Sequence, residues 1–227
     1  MAKTTDAVES PEGAARAVLA PKAQEAFGSL WASLFYSGRN IGKSILICSA
    51  DRGEGASTVA CGLALAGSQA GGAARVALVD FNLRHPSLHR MLGANPGPGI
   101  CQVLAGQLAP EAAAQRINTA LDFYAAGEPA QCGGEPLRGP AMAEFLGVLA
   151  GGYDHVLVDA PAVNRFPDAG VLAAIIKDTV LVAHAERTPR EAVVAAKKHL
   201  EAAQAHLAGV VLNQRTYPIP SFLYRRV

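Results

Sequence analysis

Short apolar runs recur along the chain and alternate with segments of helical periodicity. The runs are Ser44–Ser49 (SILICS), Arg75–Asp80 (RVALVD), Leu121–Ala125, His155–Asp159 (HVLVD), Thr179–Ala183 and Gly209–Asn213. Several are apolar on successive residues rather than on alternate ones. That pattern suits strands of a parallel sheet covered on both faces. Between them the pattern predicts helices over Ser57–Ala70, Gly139–Leu149, Asp168–Ile176 and Pro189–Ala205, with shorter helical pieces at Ser87–Leu92 and Ile100–Ala105. An earlier helix is predicted over 22–38, where Phe27, Leu30, Leu34 and Phe35 fall at helical spacing. Alternating strands and helices imply an α/β fold: a doubly wound, mostly parallel sheet flanked by helices, with right-handed crossovers. Residues 1–21 read as a flexible N-terminal tail and 216–227 as a C-terminal tail around one domain, 22–215.

Composition narrows the classes without naming one. The chain has 227 residues, 50% hydrophobic and 17% charged, enough for a large core. A net charge of +1 gives no bulk attraction to nucleic acid or anionic membrane. The N-terminus lacks a signal-peptide core, and no stretch reaches the ~20 apolar residues of a membrane span. A cytoplasmic protein is expected, brought to the inner face of the membrane by a partner if it acts there. The widely spaced Cys48, Cys61, Cys101 and Cys132 form no C-x-x-C pair and are expected to be free thiols.

The most informative chemistry lies in ILICSADRGEGASTVA, residues 45–60. An apolar strand enters a glycine-bearing turn and leaves it as a helix. This is the layout of a phosphate-binding loop, G-x-x-x-x-G-K-[ST]. Gly53, Gly55, Ser57 and Thr58 are in register, but Ala56 stands in the lysine slot and Ala50 in the first glycine slot. Three other strand ends carry polar residues, where ligands of open α/β sheets bind. Asp80 ends VALVD, with Asn82 two residues on; an acid there holds magnesium or polarises an attacking group, or else caps the next segment. Asp159 ends HVLVD, the pattern of a Walker B acid. Asn213 ends GVVLN and has the donor and acceptor needed to read a base edge. Asp168 is expected to be a helix N-cap. His85 and His89 lack a third ligand at metal spacing and read as surface or packing residues. Trp31, Phe35 and Tyr36 read either as a contact face or as packing of the first helix on its own domain.

Taken together, these passages resemble the cytoplasmic domain of bacterial tyrosine kinases (BY-kinases), within the MinD/ParA-like branch of P-loop ATPases. The resemblance runs from about Ala23 to Arg215, through EAFGSLWASLFYSG, KSILICSADRGEGASTVACGLALAGSQAG, VALVDFNLRHPSLHRMLG, GPGICQVLAGQL, the HVLVDAPAV stretch and LAGVVLNQ. It implies ATP or ADP with Mg2+ as cofactor. Arg52, Gly53, Glu54, Gly55, Ala56, Ser57, Thr58 and Asn213 would then form the nucleotide site. Asp80, Asn82 and Asp159 would carry catalysis, and Ser57, Asp80 and Asp159 the metal. Tyr217 and Tyr224 would be the phosphoacceptors. It further implies a role in capsule or exopolysaccharide export beside a membrane polysaccharide co-polymerase, and it is compatible with a homo-oligomer.

Departures from the family pattern redirect that expectation. Ala56 removes the lysine charge from the loop, and removal of one charge-stabilising group commonly costs on the order of 10²–10³ in rate. Asn82 stands where the family often has a second aspartate, and Arg52 where it often has proline. The ring-assembly motif E-x-x-R-x-x-R reads Glu25, Gly28 and Trp31, and the tyrosine-rich tail is reduced to Tyr217 and Tyr224. A pseudokinase that serves as an accessory or regulatory protein, with weakened nucleotide binding, is the expectation. An engineered Lys→Ala change in a working ATPase would explain Ala56 but not Gly28, Trp31 or the sparse tail. An active tyrosine autokinase and a ParA/MinD-like positioning ATPase remain as alternatives. The second is disfavoured by near-neutral charge and the lack of an amphipathic C-terminal helix.

Overall fold

A computed structural model describes residues 20–38, 40–71, 74–128 and 139–215. Tyr217 and Tyr224 therefore lie outside the described residues, as does Cys132.

The buried strands line up as one seven-stranded sheet. In chain order the elements are α1 (Pro21–Phe35), β1 (Ser44–Ser49), α2 (Ala56–Gln69), β2 (Val76–Asp80), α3 (Leu88–Leu92) and α4 (Ile100–Leu104). A 3-10 turn (Pro110–Ala113), β3 (Ala114–Arg116), β4 (Leu121–Tyr124) and α5 (Pro140–Gly152) follow. Then come β5 (His155–Asp159), α6 (Pro167–Ile176), β6 (Asp178–His184), α7 (Arg190–Ala202) and β7 (His206–Asn213). The strand order is β3-β4-β2-β5-β1-β6-β7, parallel except where β3 runs antiparallel to β4. Strand β3 lies outside the sequence expectation because AQR carries no apolar signal. It pairs only as an edge on β4.

Successive side chains of the central strands point to opposite faces. Leu46, Cys48, Ala77 and Val79 join one core with Phe145, Leu149, Leu172 and Leu200. Ile45, Ile47, Val76 and Leu78 join the other with Trp31, Leu34, Val59 and Leu63. Continuous apolarity in β1, β2 and β5 thus reflects two covered faces, as expected of a doubly wound sheet.

Trp31 resolves the question of the first helix. It is only 1% exposed, lies 4.3 Å from Phe35 centroid to centroid, and meets His155 edge-on at 4.9 Å. Gly67 on α2 makes room: a Cβ there would stand 2.4 Å from the indole. Trp31 is therefore packing, while Tyr36 stays 60% exposed. The free-thiol expectation holds for Cys48 and Cys61, which are buried, and burial pushes both thiols up to about 12. It fails for Cys101, which is disulfide-bonded. Among the described residues no helix is long and apolar enough to cross a membrane.

Candidate functional site

The parallel strands deliver their carboxyl ends to one edge of the sheet, and the P-loop forms there between β1 and α2. Gly53 and Gly55 both have positive φ, +78° and +88°. Gly55 is required twice over, because a Cβ would also stand 2.2 Å from Asn213 Nδ2. It is the N-cap of α2, and no side chain caps that helix end. The first N–H groups of α2 are thus left for an anion, the arrangement by which helix N-termini hold phosphate.

Glu54 anchors the loop from within. Its carboxylate accepts from Asp51 N–H at 2.9 Å and from the Thr188 hydroxyl at 2.6 Å, and the side chain is 4% exposed. Thr188 in turn accepts from His184 N–H at 2.8 Å, which ties the loop to the end of β6. Asn213 braces the other side, its Nδ2 donating to Glu54 O at 2.9 Å. The resemblance put Glu54 in the nucleotide site; its contacts here are to protein groups that shape the loop.

Beneath the loop, Asp80 and Asp159 sit opposite each other in register on β2 and β5. Ser57 Oγ donates to Asp159 Oδ2 at 2.6 Å, while Asp159 Oδ1 is buried without a partner among the described residues. Asn82 Oδ1 is likewise a buried oxygen without a partner. Such orphaned acceptors are rare in folded proteins, and a cation satisfies them. Asp80 differs. It accepts from the backbone N–H of Asn82, Ser87 and Leu88, each at 3.2 Å, and so caps the start of α3. Burial raises both acids: Asp80 to about 7, and Asp159 well above the usual carboxylate range, with the Asp80 charge as a second cause.

A divalent ion fits this chemistry through Ser57, Asp159 and Asn82. Magnesium is usually bound by one or two carboxylates together with phosphate oxygens and water. Among the described residues no cluster of three or more His, Cys, Asp or Glu side chains offers a protein-only cage.

The cleft over these groups has a volume of about 490 Å³. Its floor is Gly55, Ala56, Ser57 and Thr58, with Asn82, His85, Arg90 and Phe166 along its walls. Ala56 is 7% exposed, so no charge rises from the lysine slot. Arg52 lines the rim and makes no hydrogen bond or ion pair among the described residues. Arg84 is committed elsewhere: it pairs with Asp168 at 2.6 Å and lies over the Phe166 ring. Asp168 is therefore not the cap of α6; Phe166 takes the N-cap position, with Pro167 opening the helix. Arg165 pairs with Asp51 on the loop. His85 lines the cleft without joining a metal cluster, and His89 lies on α3 with its pKa lowered by burial and by Arg90.

No family model matches the chain. It is 32% identical over 172 residues to the tyrosine-protein kinase YwqD of Bacillus subtilis, covering 75% of this chain and 72% of YwqD. It is also 32% identical over 191 residues to EpsB of Ralstonia solanacearum, covering 83% of this chain but only 25% of EpsB. Among solved structures, the chimerical protein CapA2B2 superposes with a TM-score of 0.78 at 27% identity, covering 88% of this chain and 87% of that one. The kinase domain of the Escherichia coli tyrosine kinase ETK gives 0.78 at 25% identity, covering 88% and 82%. A ParA family ATPase from Chlorobium tepidum gives 0.61 at 18% identity, covering 76% and 74%, a likeness of fold alone.

Proposed function

The chain belongs to the bacterial tyrosine-protein kinase family, and from that premise we propose that it acts as a pseudokinase: an accessory or regulatory protein of capsule or exopolysaccharide biosynthesis and export that keeps weakened nucleotide binding. The observation that carries the reading is Ala56. It stands buried at the first turn of α2, in a loop where Gly53 and Gly55 keep positive φ and the helix N-terminus has no side-chain cap.

The residues divide into a part that still binds and a part that has lost drive. The N–H groups at the start of α2 would cradle the β-phosphate region, and Ser57 with Asp159 and Asn82 would hold magnesium, which when bound supplies charge neutralisation to the phosphates. Asn213 sits at the end of β7, where its amide would face the base. Asp80, held by three backbone N–H groups, lies beside Asp159 and would orient the metal shell or an acceptor hydroxyl. What is missing is a cation at the lysine slot, where Ala56 stands, and phosphoryl transfer depends on positioning plus charge stabilisation. Tyr217 and Tyr224 are the proposed acceptor positions if any transfer survives.

The partner we propose is a membrane polysaccharide co-polymerase, which would recruit this domain to the inner face of the membrane. The domain would comprise residues 22–215 between the two tails. Loss of both arginines of the ring motif, with Trp31 turned into the core, favours a role that does not need a closed ring.

The alternative of an active tyrosine autokinase is favoured by the family itself, whose member YwqD is named a tyrosine-protein kinase. A phosphotyrosine immunoblot with mass spectrometry, on protein incubated with Mg-ATP with and without the co-polymerase's cytoplasmic segment, separates the two. The pseudokinase reading expects no phosphate on any tyrosine under either condition. Phosphate on Tyr217 or Tyr224 would sink it and leave the autokinase.

A further inference from the structure

The lysine slot is empty of charge, yet the cleft is not. Arg90 lies on α3, three residues after Ser87, and lines the same cleft as Ala56 and Ser57. Among the described residues its guanidinium makes one hydrogen bond, a 3.4 Å contact from Nη2 to Pro86 O, near the long limit for such a bond. Two arginines line the cleft: Arg52 on the loop after β1, and Arg90 on the wall that α3 forms beyond β2, the side on which a terminal phosphate would lie.

Sheet order tells which end of a nucleotide it would meet. Strands β2, β5, β1, β6 and β7 are consecutive neighbours. Asn213, the proposed base contact, ends β7 at one side, and α3 follows β2 at the other. The P-loop lies between them, after β1. A nucleotide with its base at β7 and its phosphates over α2 therefore extends its terminal phosphate toward β2 and Arg90. Arg90 also lies close enough to Asp80 for its charge to pull that buried carboxyl's pKa down.

We propose that Arg90 supplies the cation that Ala56 no longer provides, acting from the wall of the cleft on the terminal phosphate, so that this site distinguishes a nucleoside triphosphate from a diphosphate. The inference rests on the nucleotide-binding reading above. A planar guanidinium suits bidentate contact with a terminal phosphate. Approaching from α3, it would meet the γ-phosphate and leave the β-phosphate to the helix N-terminus.

The test is isothermal titration with Mg-ADP and with the Mg complex of a non-hydrolysable ATP analogue, on the native chain, Arg90→Ala, Arg52→Ala, Ala56→Lys and the Arg90→Ala/Ala56→Lys double variant. A hydrogen bond to a charged group is worth about 1.5–3 kcal/mol, roughly 10- to 100-fold in affinity. Arg90→Ala should lower triphosphate affinity by about that factor and leave diphosphate affinity within about twofold. In the Ala56→Lys background the same substitution should cost much less, because the lysine restores the charge. Equal losses for both nucleotides, equal losses in both backgrounds, or a loss that follows Arg52→Ala instead would each overturn the proposal. Circular dichroism and melting temperature show whether Arg90→Ala folds, and Arg90→Lys keeps the charge as a second check. If neither the native chain nor Ala56→Lys binds nucleotide, the underlying reading fails. If only Ala56→Lys binds, that reading stands for the loop and the Arg90 proposal falls.

Discussion

Single residues decide what this site can do, and their roles are not those their positions alone announce. Gly55 is a glycine for two reasons, a left-handed φ and the 2.2 Å approach of Asn213 to where a Cβ would stand. Glu54 holds the loop closed through Asp51 and Thr188. Its replacement by alanine leaves two donors facing a buried gap, so Glu54→Ala should lower stability by about 1–3 kcal/mol, read as a shift in the urea midpoint with an unchanged slope. An unshifted midpoint would show that the carboxylate does not anchor the loop.

The acidic pair makes a pH prediction. Asp80 titrates at about 7 in the folded chain, against roughly 3.9 when unfolded, and Asp159 is raised in the same direction. The folded state then holds protons more tightly than the unfolded one. The contribution is fully present below about pH 4 and falls as pH rises toward about 7. Melting temperature of the ligand-free protein should therefore decline over that window more steeply for the native chain than for Asp159→Asn, which relieves the shared charge. Added magnesium should restore more stability at pH 8 than at pH 5.5, because the acids must lose their protons to bind it. Identical profiles for the native chain and Asp159→Asn would remove the pair as the source.

Elements show how much of this arrangement was legible beforehand. Near-continuous apolar runs in β1, β2 and β5 identified a sheet covered on both faces, and the polar residues closing β2, β5 and β7 lie together at the edge of it where the P-loop forms. Strand β3 escaped because three residues of AQR carry no pattern, and β7 starts at His206 rather than Gly209 because its opening His206, Leu207 and Ala208 form no long apolar run. The capping role of Asp80 depends on the turn from Asn82 to Leu88 folding back, a contact no local spacing reveals. Arg90 had a weak signal, since a helix from Ser87 places residues three apart on one face. The Cys101 disulfide was invisible because spacing alone gives no pairing.

Helix α1 carries its own prediction. Its indole fills the space that Gly67 leaves open. Trp31→Ala should cost about 3–5 kcal/mol in chemical denaturation, as a buried large-to-small change does. Trp31→Arg, which brings back an arginine of the ring motif, should destabilise further and form no larger assembly, because that position faces the core. A stable Trp31→Arg protein that forms rings in light scattering would show that α1 turns outward and would undo this packing account.

At the scale of the whole molecule, the fold is that of the tyrosine-protein kinase family, while Ala56 stands in the lysine slot of the loop and Trp31 is packed in the core. The native chain is accordingly expected to elute as a monomer in size exclusion with light scattering, with or without Mg-ATP. An ATP-dependent dimer would instead favour the positioning-ATPase alternative.

The most direct test of the central claim is calorimetric titration of the native chain with Mg-ATP beside the Ala56→Lys variant. The account predicts weak but measurable binding by the native chain, and binding tighter by roughly 10- to 100-fold when lysine returns to a loop already shaped for it. Equally tight binding by both proteins, or no binding by either, would contradict it.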